Sequence, residues 1–259
     1  TDEDTSSAEN NIQLVTNLQA GTNVSIIGNL SDDDADSHIL QAVLEDATGT
    51  TDSLTVGLFS DDSNNQTIEG LVVADVETVT IAVAADETND NVDTVTLGSV
   101  SIDGATAMVV TSEEDVVIAF AANDSLDTIN LSGATAGIDV DVDTAGDDTG
   151  IEFILANPSL VTDVIALTLH SSEGVRDIIT FGDTMISAVT ITNFTNGSSV
   201  VSDILDVSGY GIVNISDFTF ADTGADVTID VADDDNFGLI TLAGIANISD
   251  LTADNFTFA

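Results

Sequence analysis

Aspartate and asparagine gather in five short runs: SDDDADSH (Ser31 to His38), FSDDSNN (Phe59 to Asn65), DETNDNVD (Asp86 to Asp93), DVDVDTAGDD (Asp139 to Asp148) and DVADDDN (Asp230 to Asn236). Calcium takes about six to eight oxygen ligands from carboxylates, amide and backbone carbonyls and water, and turns of this composition supply them. None of the runs has the alternating acids, central glycine and closing glutamate of an EF-hand loop. The competing reading of each run is a solvated acidic turn. In Asp139-Val-Asp141-Val-Asp143, strand alternation sends all three carboxylates to one face. Like charges held side by side there repel unless a cation lies between them.

Other chemistry is sparsely provided. There is no cysteine, which excludes disulfides, thiolate metal sites and a cysteine nucleophile. The two histidines, His38 and His170, have no nucleophile motif around them and read as surface residues. Carboxylate pairs for glycoside hydrolysis are present in abundance. Sugar clefts, however, use aromatic platforms, and the chain has no Trp, one Tyr and ten Phe. No phosphate-binding G-x-x-x-x-G-K-[ST] and no H-E-x-x-H occurs. The expectation is a protein that is not an enzyme.

The elements that carry these residues are short strands rich in Val, Ile and Thr, such as NVSIIGNL, DSLTVGLF, VETVTIAVA, DVVIAFAA and DVTIDVA, bounded by Gly, Asp, Asn or Ser. Little helix is expected. The best candidate is Ser37 to Ala47 (SHILQAVLEDA), apolar at helical spacing after a possible serine cap, with a strand as the alternative. A helical turn is expected in ANPSLVTDV around Pro158, and ISDLTADNF reads as a turn followed by a strand. One strand pattern recurs as Val76-Glu-Thr-Val79, Val92-Asp-Thr-Val95 and Leu126-Asp-Thr-Ile129, its starts 16 and then 34 positions apart. That suggests stacked coils of about 17 residues. The fold class is all-β: a β-solenoid, or a β-roll or sandwich, with short strands and acidic calcium-binding turns. A composition shift at Leu169 to Gly174 divides a β-rich, repeat-like domain over 1–170 from a second unit over 171–259.

Charge narrows the setting. Forty-seven acids face one base, Arg176, for a formal charge of -46, yet 43% of residues are hydrophobic and mean hydropathy is +0.28. A disordered acidic tail would lack that apolar content. Self-repulsion on this scale opposes compaction, so counter-charge must come from outside, as bound calcium or as high salt. Nucleic acid needs clustered Lys and Arg and is excluded as a partner, as are anionic membrane surfaces. No run approaches the roughly 18 apolar residues of a membrane-spanning helix, so no membrane insertion is expected. No cleavable leader is visible, and a chain that starts at Thr1 is expected to be a processed product, a fragment or part of something longer.

The last third carries an ordered series of blocks: EGVRDIITFGD, VTITNFTNGSSVVSDILDVSGYGI, GADVTIDVADDDNFGLITLAGI and ISDLTADNFTFA. This series resembles the C-terminal target domain of RTX-type proteins exported by type I secretion. On that resemblance Gly174 and Asp177 stand in the degenerate last calcium repeat, and Asn193 and Phe194 stand where the family has Asp-Phe. Asp203, Leu205, Asp206 and Gly209 fill the next block, and Asn255, Phe256 and Phe258 the terminal one. The departures are Asn for Asp at 193 and 255, an SSVV insert, and the lack of any intact G-G-x-G-x-D nonapeptide. Upstream, DSLTVGLF, IEGLVVADVETVTIAVA and LDTINLSGATAGIDVDV resemble the lattice-forming rungs of bacterial S-layer proteins that use the same export route.

The resemblance implies a secreted structural protein, located outside the cell or at its surface. It would self-assemble into a calcium-stabilised S-layer or filament, with copies of itself and cell-surface polysaccharide as partners. The candidate calcium ligands are Asp127, Asp139, Asp141, Asp143, Asp177, Asp203, Asp206, Asp233 and Asp234. The alternatives are the terminal part of a large RTX adhesin, a secreted hydrolase whose catalytic domain lies elsewhere, and acidity that serves salt adaptation.

Overall fold

β-Branched residues at alternate positions favour extended backbone, and the computed structural model of the chain is mostly strand, with short 3-10 turns as the only helix among the described residues. It describes residues 10–27, 37–46, 48–59, 65–84, 94–122, 125–142, 150–155, 163–171, 175–182, 188–231 and 238–259. Among the described residues twenty-one strands form two open sheets. The first holds β1 (Asn10–Leu18), β3 (Ser37–Leu44), β6 (Gly70–Ala74), β8 (Thr94–Ser101), β10 (Asp115–Ala122), β12 (Ile138–Asp141), β14 (Val164–Thr168), β16 (Ala188–Thr192), β20 (Ile240–Ala243), β19 (Val227–Val231) and β18 (Phe218–Asp222), in that spatial order, with β5 (Gln66–Ile68) pairing β8. The second holds β2 (Thr22–Ile27), β4 (Ser53–Phe59), β7 (Thr78–Ala84), β9 (Ala107–Ser112), β11 (Thr128–Ala134), β13 (Glu152–Ile154), β15 (Ile178–Thr180), β17 (Ile204–Asp206) and β21 (Phe256–Thr257).

From β6 to β17 the chain visits the two sheets in strict alternation. Each strand lies parallel to the one two before it, as β7 does to β9 and β10 to β12. The inward residues therefore stack in columns. Val95, Val116, Ile138, Ile165, Val189 and Ile240 are successive partners in the first sheet. Val79, Met108, Ile129, Phe153, Ile179 and Leu205 are successive partners in the second. All are buried in one continuous apolar core. A slip of one residue would exchange these columns for the outward Thr, Asp and Asn, so burial enforces the register.

Three expectations are corrected or located. Residues 37–44 form β3 rather than a helix: Leu40, Ala42 and Leu44 are buried while Ile39, Gln41 and Val43 are half-buried, a period of two. Strands on both sides, β1 and β6, offer the backbone partners that override the helix propensity of Leu, Gln and Ala. The step of 17 is not a layer. Partners in adjacent layers are 21 positions apart at Val95 and Val116 and 31 at Ile39 and Gly70. The three copies of the pattern lead into β7, β8 and β11, and β8 belongs to the first sheet while β7 and β11 belong to the second. The helical turn expected around Pro158 falls on 156–162, outside the described residues. Near the end, two 3-10 turns (Ile248–Asp250 and Ala253–Asn255) lead into β21, as the turn-and-strand reading expects.

Both sheets run through the composition shift at 169–174, with β14 pairing β16 and β13 pairing β15. The C-terminal end departs from the pattern. There β18, β19 and β20 turn antiparallel. Phe218 packs on Phe256 with ring centroids 5.3 Å apart, and Phe256 on Phe258 at 5.7 Å. Phe220 meets Phe218 edge-on at 5.8 Å.

Candidate functional site

The acid in the recurring pattern is the residue directly before a strand, and there it has a structural task. Asp52 and Glu77 precede partners Ser53 and Thr78, and the Glu77 carboxylate accepts the Asp52 N–H at 2.7 Å. Asp177 precedes β15 and accepts the N–H of Ile151, its counterpart one layer back, at 2.8 Å. Asp203 precedes β17 and accepts the N–H of Asp177 at 2.8 Å. In the first sheet the direction reverses: Asn65 accepts from Thr94 at 3.0 Å and Asp115 from Gly137 at 2.8 Å. At the foot of each of these strands a side chain thus supplies the acceptor of an extra rung. Hydrogen bonds to an ionised acceptor are the stronger ones.

In the last third these rungs join a buried polar chain. His170 is 4% exposed, Asp177 1% and Asp203 1%. The His170 ring Nδ1 lies 3.1 Å from Asp177 Oδ1, and the His170 backbone N–H donates to Asp177 Oδ2 at 3.1 Å. Asp203 Oδ2 accepts the Thr195 N–H at 2.7 Å. The Asn255 amide donates to the Asp203 carbonyl at 3.1 Å, while its own oxygen accepts from Gly197 and Thr252, each at 3.1 Å. The surface reading of His170 is therefore overturned: the Asp177 carboxylate draws its ring inside. His38 lies in β3.

Burial pushes Asp203 up to about 7. The Thr195 and Asp177 amides pull the other way, the Asp177 carboxylate adds to the rise, and His170 opposes it. Arg176, the only base, directs Nε to the Ser202 carbonyl at 3.0 Å and an outer guanidinium nitrogen to the Ser199 carbonyl at 3.3 Å. It thereby ties down the SSVV insert, since Ser202 in turn accepts the Ser199 N–H at 3.1 Å.

The outward acids form a different environment. Asp139 and Asp141 stand on the outer face of β12, either side of buried Val140, as the alternation requires. Desolvation raises Asp139 above its ordinary carboxylate value, and the charge of Asp141 adds to the rise. Asp139 also lines a groove of about 370 Å³ on the outer face of the first sheet, together with Asp115, Asp163 and Thr94. Among the described residues no three His, Cys, Asp or Glu side chains converge as a metal-binding group.

The nine sequence-derived candidates thus separate. Asp177 and Asp203 come together in the buried chain. Asp139 and Asp141 share an outer face. Asp127 is exposed before β11, and Asp206 is half-buried, accepting the Ser208 N–H at 3.0 Å. Asp143, Asp233 and Asp234 lie outside the described residues. The functional partners that sequence reasoning missed are His170, Thr195 and Thr252. Asn255 was singled out only through the terminal block, and its Asn-for-Asp departure is what lets it donate to the Asp203 carbonyl. No protein-family model, curated protein or solved structure matches the chain.

Proposed function

We propose that this chain is a structural protein: a secreted β-solenoid that assembles with copies of itself at the cell surface and takes calcium as its counter-charge. The observation that carries the reading is the division of labour among its acids. Inside, carboxylates are spent on backbone N–H groups as rungs between layers. Outside, carboxylates stand in rows with no base to answer them, the one arginine being held by carbonyls. The strand-by-strand alternation between two parallel sheets supports the solenoid over the sandwich, because each layer adds to both sheets at once.

Calcium belongs with the outer acids. Asp139 and Asp141 fit a hard cation: they are adjacent on one face, and the rise at Asp139, caused first by desolvation and then by the Asp141 charge, is one that a neighbouring cation would oppose. When bound there, the ion supplies positive charge between carboxylates and so favours the compact state; ligand binding to the folded state alone stabilises by mass action. Asp177 and Asp203 fit it poorly, since their carboxylate oxygens face N–H donors. The resemblance of 171–259 to a type I secretion target domain supports export, and that of the upstream strands to S-layer rungs supports assembly by 1–170.

The test is a calcium titration of the purified chain followed by circular dichroism and light scattering, with EDTA reversal and a sodium chloride control at equal ionic strength. Calcium-specific folding and growth in particle size, weakened in Asp139→Asn/Asp141→Asn, is the expected result. Folding that follows monovalent salt equally well, with no growth in size, would overturn the reading in favour of salt adaptation.

A further inference from the structure

The chain holds a single Asn-Gly pair, Asn196-Gly197, in the turn between β16 and β17. That dipeptide has a chemistry of its own. The side-chain amide of an asparagine is open to attack by the backbone nitrogen of the next residue, and glycine, having no Cβ, lets the two groups approach closely. Gly197 has φ +106°, a conformation that suits glycine, and Asn196 is half-buried.

The peptide groups of Gly197 are held by a distant part of the chain. Its N–H donates to Asn255 Oδ1 at 3.1 Å, and its carbonyl accepts the Thr252 hydroxyl at 3.1 Å. These partners lie 58 and 55 positions away, in the 3-10 turn before β21. Asn255 is 0% exposed, so the Gly197 N–H points at a buried acceptor. On the near side the Ser202 hydroxyl donates to the Asn196 carbonyl at 3.3 Å. The Gly197 nitrogen becomes a nucleophile only by losing the proton that Asn255 holds, and a hydrogen-bonded, buried N–H gives up its proton only when the segment opens locally.

We infer that Asn196 is a site of spontaneous deamidation, held in check by the turn at Thr252 to Asn255 and released when that turn opens. In the open state hydroxide takes the Gly197 amide proton. The nitrogen then bonds to Asn196 Cγ, and the bond from Cγ to the side-chain nitrogen breaks. That nitrogen leaves as ammonia, taking up a proton from water. A cyclic imide now joins residues 196 and 197. One water opens it at either carbonyl, giving aspartate or isoaspartate at position 196, and nothing is oxidised or reduced. Isoaspartate adds a methylene to the main chain, which displaces the Gly197 N–H and carbonyl from Asn255 and Thr252. The turn cannot then close as before, so the reaction records its opening in one direction only.

None of this depends on calcium or on assembly, and the test uses the full chain in EDTA at mildly alkaline pH. Peptide mapping by mass spectrometry follows the replacement of amide by acid at position 196. The folded chain should react there at least about tenfold more slowly than the same chain in urea, because reaction waits on local opening. Asn255→Ala removes the acceptor of the Gly197 N–H and should speed the folded chain about tenfold, and Thr252→Val, which removes only the bond to the Gly197 carbonyl, several-fold. Where Asn255→Ala fails to fold by circular dichroism, Thr252→Val decides. Chains carrying isoaspartate should lose hydrogen-exchange protection at the Gly197 and Thr252 amides. A wild type that reacts as fast folded as in urea, no reaction at position 196 in urea, or a folded Thr252→Val no faster than wild type overturns the inference. Protection retained after isoaspartate has formed would overturn its one-way character.

Discussion

Asp203 offers the sharpest test of the physical account, because its carboxyl is buried and titrates near 7 rather than 3.8. A raised folded-state value means that the folded chain holds a proton which the unfolded chain has released. The stabilisation is complete below about 3.8 and is lost as pH rises through about 7. Between these limits the folded state carries up to one extra proton at this site, so stability falls by up to about 1.4 kcal/mol per pH unit, or a total on the order of 4 kcal/mol. Other carboxylates add their own slopes, so the comparison must be with Asp203→Asn, which leaves every other acid in place. The asparagine keeps one oxygen for the Asp177 or the Thr195 N–H and turns its own N–H₂ against the other, at a cost of about 1–3 kcal/mol. Urea unfolding in EDTA between pH 5 and 7, away from the isoelectric point near 4.1, measures both proteins. The wild type should lose about 2 kcal/mol more than Asp203→Asn across that interval. Parallel pH profiles would refute the reasoning, and would mean that the Thr195 and Asp177 amides hold the buried carboxylate ionised throughout.

Two further outcomes follow from the rungs and from close packing. A Cβ on Gly150 would collide with the Arg176 carbonyl oxygen, whereas one on Gly182 meets no atom within 4 Å. Gly150→Ala should therefore cost about 3 kcal/mol or more by thermal unfolding and Gly182→Ala almost nothing, and equal melting temperatures would show that the backbone of Arg176 yields freely. Glu77→Ala leaves the Asp52 N–H without its acceptor and should cost about 1–2 kcal/mol, while Glu77→Gln, which keeps an oxygen there, should cost less than half as much. Hydrogen exchange at the Asp52 amide reads the same bond directly, and protection unchanged in Glu77→Ala would remove the rung.

The strands were legible where period-two patterning was strong. VETVTIAVA, DVVIAFAA and DVTIDVA hold β7, β10 and β19 respectively. Ser37 to Leu44 misled because Leu, Gln and Ala favour helix locally, and only neighbouring strands on both sides decide against it. The recurring acid was visible as a pattern, but its task was not. Glu77 and Asp52 are 25 positions apart, and a hydrogen bond over that distance exists only once layers stack. The outward alternation of Asp139 and Asp141 was readable because it is local to one strand.

The sequence alone therefore determined what depends on near neighbours: an all-β chain, the faces of its strands, and a negative charge with no internal answer. The tertiary structure decided what depends on stacking. It set the layer spacing, which varies with loop length and leaves no fixed repeat to count. It also sent His170 inside, because Asp177, seven residues on, holds it from the foot of the next strand. And it distinguished acids that carry rungs from acids that face water: composition is the same for both, and only the presence of a backbone N–H one layer away separates them.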